Sequence, residues 1–307
     1  MTASIHPATA RDQAPISTFL IRHFPDLDHA TIAQLFTQRW STDEGCCGYR
    51  MVDEGRIVGF IGHIYSRRPV DGVVHKFCSL STWAVDPAFR AQSSLLLFPL
   101  FRLAAQGYTI TDFTAAPHVR PLWGRLGFAP LDTSRVLMPV LPGLARRRRE
   151  GAGVFVDDGR MVRSLTPAQQ QLHRDHVGLE GHHVLARTRR GDCYAVFTID
   201  PGLRGLATAT FHHIASGELF LSCVDVIKRA LHRALAVRML DVPSRFVAGL
   251  ELPPLSLVRW DRQGVFLSRG LRADQIDGLY SELVLLRAPP RSGSRQVGAS
   301  LGCDRDS

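Results

Sequence analysis

Trp83-Ala-Val85-Asp-Pro87-Ala-Phe89-Arg90 is where the chain changes character. Before it, Val73 to Val85 is a long run with many β-branched and aromatic residues, the material of a strand. Asp86-Pro87 ends that run, because proline fixes φ and withdraws a ladder donor. After it, Arg90-Ala91-Gln92-Ser93-Ser94-Leu95 leads into an apolar series read as a helix beginning after Ser93. Pro99 lies inside that series and costs about 3 kcal/mol there unless the helix is kinked or starts late. A strand that ends at a loop opening a helix aims unpaired N–H groups and a positive dipole end at one place, which suits an anion.

Upstream, Ile5 to Thr9 is short and extended, and Thr9 with Asp12 has cap spacing before the series Ile16, Phe19, Leu20. A second helix is expected from about Ala30 to Trp40. A hairpin follows, Gly48 to Asp53 and Arg56 to Tyr65 around Glu54-Gly55. Downstream come a strand from Tyr108 to Phe113, a short helix from Pro117 and strands around Leu131 to Val140. This order predicts an α/β fold: a mixed, antiparallel-rich sheet flanked by helices.

Leu141 to Gly153 joins a Pro-Gly turn, the run Arg146 to Arg149 and two glycines, poor material for a helix or strand interior. It is read as a linker between a first domain, 1–140, and a second, 154–288; residues 289–307 are read as a disordered tail. The second segment repeats the order of the first. Thr166-Pro-Ala-Gln169 starts a helix, a meander runs from His183 to Ala215, and a helix from Val224 to Met239 turns Ile227, Leu231, Ala234 and Leu235 inward and Lys228, Arg229, His232 and Arg233 outward. A divergent tandem repeat is the expectation.

Composition excludes several classes. The 307 residues are 45% hydrophobic and 21% charged, as in ordinary globular chains rather than disordered or fibrous ones. The apolar run Leu95 to Phe101 is far short of the roughly 20 residues that span a bilayer, so no membrane partner is expected. The N-terminus lacks the pattern of a secretory signal, and a cytoplasmic location is expected. The net charge of +9 comes almost wholly from arginine, since only Lys76 and Lys228 are lysines; this fits a codon bias, and no nucleic-acid partner is expected. Six scattered cysteines include no C-x-x-C pair, and His182-His183 and His212-His213 have no carboxylate or cysteine at ligand spacing, so neither a disulfide framework nor a metal site is predicted.

The first 140 residues resemble the GCN5-related N-acetyltransferase family. The resemblance rests on the opening Ile5 to Asp12, on Trp83 to Arg90, and on Leu122-Trp-Gly-Arg-Leu126-Gly127-Phe128, in that order. It implies acetyl-coenzyme A as acyl donor, with Ala84 and Val85 pairing the pantetheine arm and Arg90, Ala91, Gln92, Ser93, Ser94 and Leu95 forming the pyrophosphate loop. The implied acceptor is an amine, small or on a protein. Two places depart from the pattern: Ser93 and Leu95 replace small residues of the loop, and Trp123 stands where the family often has a tyrosine acid. The catalytic candidates are therefore Asp112 at a strand end, His118 at the next helix start and Ser81 on the long strand. The rival expectation is a regulatory or scaffold protein that kept the fold without the chemistry.

Overall fold

The computed structural model describes residues 3–37, 39–40, 44–141, 153–202, 205–259 and 264–287. The expected linker run Arg146 to Arg149 and the tail from Ala288 lie outside the described residues. In the first segment the strands are β1 (Ser4–Pro7), β2 (Gly48–Asp53), β3 (Arg56–Val70), β4 (Val73–Val85), β5 (Tyr108–Asp112), β6 (Ala129–Leu131) and β7 (Arg135–Pro139). In the second they are β8 (Gly153–Val156), β9 (His182–Thr188), β10 (Gly191–Pro201), β11 (Ala207–Ile214), β12 (Met239–Pro243), β13 (Leu257–Arg259) and β14 (Gly264–Leu267).

These strands form two seven-stranded sheets, ordered β1-β2-β3-β4-β5-β14-β6 and β13-β7-β12-β11-β10-β9-β8. Each sheet has four successive antiparallel strands, one parallel pair (β4 with β5, β11 with β12), then two antiparallel strands. The second sheet therefore repeats the first, and the fold class is the one expected from sequence.

The segments exchange a strand. β14, from the second, lies between β5 and β6 of the first, and β7, from the first, lies between β12 and β13 of the second. Both are short apolar runs suited to a central place; Val136 and Met138 of β7 are 1% and 0% exposed.

A shared core joins the sheets. Ile16, Phe19 and Leu20 of the helix Gln13–His23 pack in one cluster with Leu185, Tyr194 and Val196 of the second sheet and with Leu279, Tyr280, Val284 and Leu285. One buried polar pin accompanies it. Arg68 of β3 lies 3.7 Å over the Phe77 ring and pairs with Asp277, which also pairs with His213 of β11 at 2.9 Å.

The helix starts read from sequence are present. Thr9 N–H donates to Asp12 at 2.9 Å, and Thr166 N–H to the Gln169 side chain at 3.1 Å. Three helix limits differ. The helix expected over Ala30 to Trp40 runs only His29–Ala33, followed by a 3-10 turn Gln34–Phe36, because Trp40 is drawn to the second segment, where its indole N–H donates to the Asp175 carbonyl at 3.0 Å. The helix expected to reach Met239 stops at Leu235, where Ala236 turns left-handed at φ 54° and Met239 enters β12. Lys228 on that helix, expected outward, is buried. The loop after Pro87 is a 3-10 helix to Leu97, and the α-helix starts late, at Phe98, which seats Pro99 in its first turn without loss of a hydrogen bond.

Candidate active site

β4 and β5 run in parallel only from Lys76/Tyr108 to Ser79/Thr111. Beyond Ser79, β4 keeps β3 as its neighbour, through Ser81 with Gly62, Ala84 with Phe60 and Val85 with Gly59, but loses β5. A bulge sits at this divergence: the register shifts between Phe60 and Gly62, and Thr82 takes φ 44°. A Cβ on Gly62 would lie 2.5 Å from Ser81 Oγ and 2.9 Å from Thr82 Oγ1, so a larger residue there would push both hydroxyls out of place. One edge of Leu80 to Val85 thus faces the gap between the strands.

Glu282, the first residue of the short helix Glu282–Leu285, stands at the mouth of that gap. Ser79 Oγ donates to its Oε2 at 3.1 Å, Thr114 Oγ1 donates to its Oε1 at 3.2 Å, and Thr111 Oγ1 donates to Ser79 Oγ at 3.2 Å. Burial pushes the Glu282 carboxyl up to about 8, and the like charge of Asp112 adds to this while the two hydroxyls pull it back. Asp112, at the end of β5, is itself raised to about 6 by burial, partly offset by the Thr114 N–H at 3.1 Å. Two carboxyls with separated affinities for a proton lie where two strands part.

Of the residues singled out from sequence, Asp112 is thus beside Glu282. Ser81 is buried on β4, two residues beyond Ser79. His118 is exposed in the 3-10 turn Pro117–Val119. Ala84 is buried and Val85 partly so, and Arg90, Ala91 and Ser94 are exposed on the 3-10 loop, with Gln92 and Ser93 half-buried. Leu95 packs on the same core cluster as Trp83 and Val85. Asp86 pairs with His23 at 3.0 Å rather than with Arg90. Trp123 is fully buried, its ring 5.7 Å from Trp83 and 4.6 Å from Phe128, so it is a core residue.

The four histidines of the two pairs do have polar partners, which sequence spacing did not reveal: Asp157 for His182, Tyr194 for His183, Thr198 for His212 and Asp277 for His213. No cluster able to hold a metal occurs among the described residues. Cys46, Cys47, Cys78, Cys193 and Cys223 are buried.

A cavity of about 270 Å³ reaches Thr114, which bonds Glu282, and Leu283, the next residue in sequence. Phe113, Thr114, Thr133 and Arg135 line it from the first segment, whereas most of its wall comes from the second, including Arg245, Arg259 and Arg287. Sequence reading missed both Glu282 and this cavity.

Solved structures superpose on this two-sheet fold over most of the chain. A conserved protein of unknown function from Enterococcus faecalis V583, described as a probable N-acyltransferase, superposes with a TM-score of 0.59 at 12% identity, over 89% of this chain and 74% of that one. A GCN5-related N-acetyltransferase from Anabaena variabilis gives 0.58 at 11% identity, over 86% and 72%. One from Kribbella flavida gives 0.53 at 12%, over 86% and 70%. The fold is that of the GCN5-related N-acetyltransferases. Both sheets of this chain are included in these matches, since each covers more than four-fifths of it. No protein-family model and no curated protein sequence matches it. No helix among the described residues is long and apolar enough to cross a membrane.

Proposed function

We propose that the protein is an N-acetyltransferase that moves an acetyl group from acetyl-coenzyme A to an amine, with Glu282 as the proton-transfer group. The observation that carries this reading is the Glu282 carboxyl, held by Ser79 and Thr114 where β4 and β5 diverge. A carboxyl in a purely structural role would be expected to meet an arginine or lysine; this one meets two hydroxyls and a second carboxyl.

The acyl donor lies in this reading along the open edge of β4, its pantetheine amides meeting Ala84 and Val85 and its thioester reaching toward Ser79. The pyrophosphate lies at Arg90 to Leu95, where Arg90 supplies charge and Gln92, Ser93 and Ser94 supply polar groups. The loop is wound as a 3-10 helix, which uses N–H groups such as that of Phe89, bonded to Asp86 O at 2.9 Å. Side chains therefore carry more of the phosphate contact than an open cradle of N–H groups would require.

In the transfer the amine nitrogen bonds to the acetyl carbon and the carbon–sulfur bond breaks. One proton leaves nitrogen and one is taken up by sulfur. Glu282, near 8, is matched to both exchanges: ionised it accepts from the attacking amine, and protonated it returns the proton to the thiolate. Asp112 keeps that affinity high by its own charge. Holding amine and thioester in contact supplies much of the remaining acceleration.

The test is release of coenzyme A thiol from acetyl-coenzyme A in the presence of a panel of amines. Amine-dependent thiol release by the wild type, reduced about 10² to 10⁴-fold in Glu282→Gln, supports the reading. No release with any amine, together with no binding of coenzyme A, would leave the fold without this chemistry and favour the scaffold role.

A further inference from the structure

The cavity that reaches Thr114 and Leu283 carries more positive charge than its own acids balance. Arg135 is engaged by Asp241 at 2.7 Å, and Arg287 by Asp200. Arg245 is different: Nε donates to the Ile276 carbonyl at 2.9 Å and Nη1 to the Asp132 carbonyl at 3.1 Å, and no carboxylate among the described residues lies within ion-pair distance. Its hydrogen-bond partners are neutral carbonyls, and the Asp132 and Asp277 carboxylates act on it only from beyond ion-pair distance, so this guanidinium has no bonded counter-ion.

Two further polar atoms in the same wall lack partners. His212 is 4% exposed, and its Nδ1 has no hydrogen bond; Thr133 Oγ1 is buried and likewise unpartnered. Thr198 Oγ1 accepts from Arg287, and its own proton has two acceptors in reach, His212 Nε2 at 2.9 Å and Asp200 Oδ2 at 3.4 Å; the shorter contact places the His212 hydrogen on Nδ1. The guanidinium and this imidazole N–H donate, and the Thr133 hydroxyl can donate as well, so an oxyanion satisfies all three.

Thr114 lines this cavity and also holds Glu282. We infer that the acceptor is a small amine that also bears an oxyanion, a carboxylate or phosphate, bound by Arg245, His212 and Thr133 with its amine toward Glu282. This rests on the acetyltransferase reading. At about 270 Å³ the cavity suits a small metabolite rather than a protein segment.

Matched acceptors test it: arginine against agmatine and tyrosine against tyramine for a carboxylate, glucosamine 6-phosphate against glucosamine for a phosphate. The expected result is at least a tenfold higher kcat/KM for the acid-bearing member of one pair, which also identifies the anion. Equal rates within every pair, or preference for the members without the acid, would overturn the inference while leaving acetyl transfer intact. A second arm needs no turnover: calorimetry with the acid-bearing compounds and with inorganic phosphate, on wild type, Arg245→Gln, Thr133→Val and the loop control Arg90→Ala. Binding that weakens at least tenfold in Arg245→Gln, weakens in the lightly rooted Thr133→Val and persists in Arg90→Ala supports the site even if no amine is acetylated, in which case it is the acetyltransferase reading that falls. No anion binding by the wild type, or binding that only Arg90→Ala removes, overturns the site.

Discussion

Ser79 of β4 donates to Glu282 at 3.1 Å across 203 positions of sequence. The bond places a carboxyl from the end of the described chain in the first sheet's strand gap, so the candidate site of the first segment is completed by the second. Loss of the terminal helix should therefore abolish acetyl transfer without touching the loop Arg90 to Leu95.

Glu282→Gln should show opposite effects on rate and stability. Its folded affinity for a proton, near 8, lies above the ordinary glutamate value of 4.5, so the folded state binds the proton more tightly than the unfolded state between those values. Stability from this group is fully present below about 4.5 and is lost as pH rises through 8. The glutamine variant, which cannot acquire the buried charge, should melt a few degrees higher than wild type at pH 8.5 and nearly level with it at pH 5. Thermal melts at both pH values check this; equal melting temperatures at pH 8.5 would show that Glu282 is not desolvated.

Asp112→Asn should move the pH dependence of the rate. The Asp112 charge helps to raise Glu282, so its removal lowers the pH at which Glu282 ionises. The rising limb of kcat/KM, expected near pH 8 in wild type, should shift to lower pH by about one unit, and a profile that does not shift would separate the two carboxyls.

The strand exchange makes the two segments mutually dependent. Fragments 1–140 and 154–288, each carrying one strand that belongs in the other's sheet, should be insoluble or molten when expressed apart and should form one soluble complex when expressed together. Size-exclusion chromatography decides the matter, and two separately folded monomers would contradict it.

The first sheet was legible because its signals are local: the Glu54-Gly55 turn between β2 and β3, the β-branched and aromatic run of β4, the stop at Asp86-Pro87 and the cap at Thr9. The exchange was not. Arg135-Val-Leu-Met-Pro139 falls among the strands read around Leu131 to Val140, and Gly264-Val-Phe-Leu267 is not singled out at all; a short apolar run carries no address for its sheet, and pairing is settled by the core the chain shares. Glu282 left a weaker trace, a lone acid in Leu279-Tyr-Ser-Glu-Leu-Val-Leu-Leu286, where an apolar helix start would tolerate a carboxyl only as a cap or a working group. Its partners Ser79 and Thr114 are too distant in sequence for spacing to reveal.

Asp277→Asn should be strongly destabilising and should flatten the acid limb of stability. Burial alone would raise the Asp277 carboxyl, but the Arg68 charge and the His213 hydrogen bond outweigh it and hold the group well below the usual aspartate range. A carboxyl depressed on folding contributes stability above its unfolded value, near 3.8, that is lost as pH falls toward its folded one. Removing the charge leaves Arg68, 6% exposed, without its carboxylate, and breaking a buried pair in this way costs about 3–5 kcal/mol. Urea unfolding at pH 7 measures that loss. Repeating it at pH 3.5 should show a smaller difference between variant and wild type, because the wild-type pair is then losing its own contribution; a difference that stays constant across the range would mean that Asp277 does not tie β3 to β11 through charge.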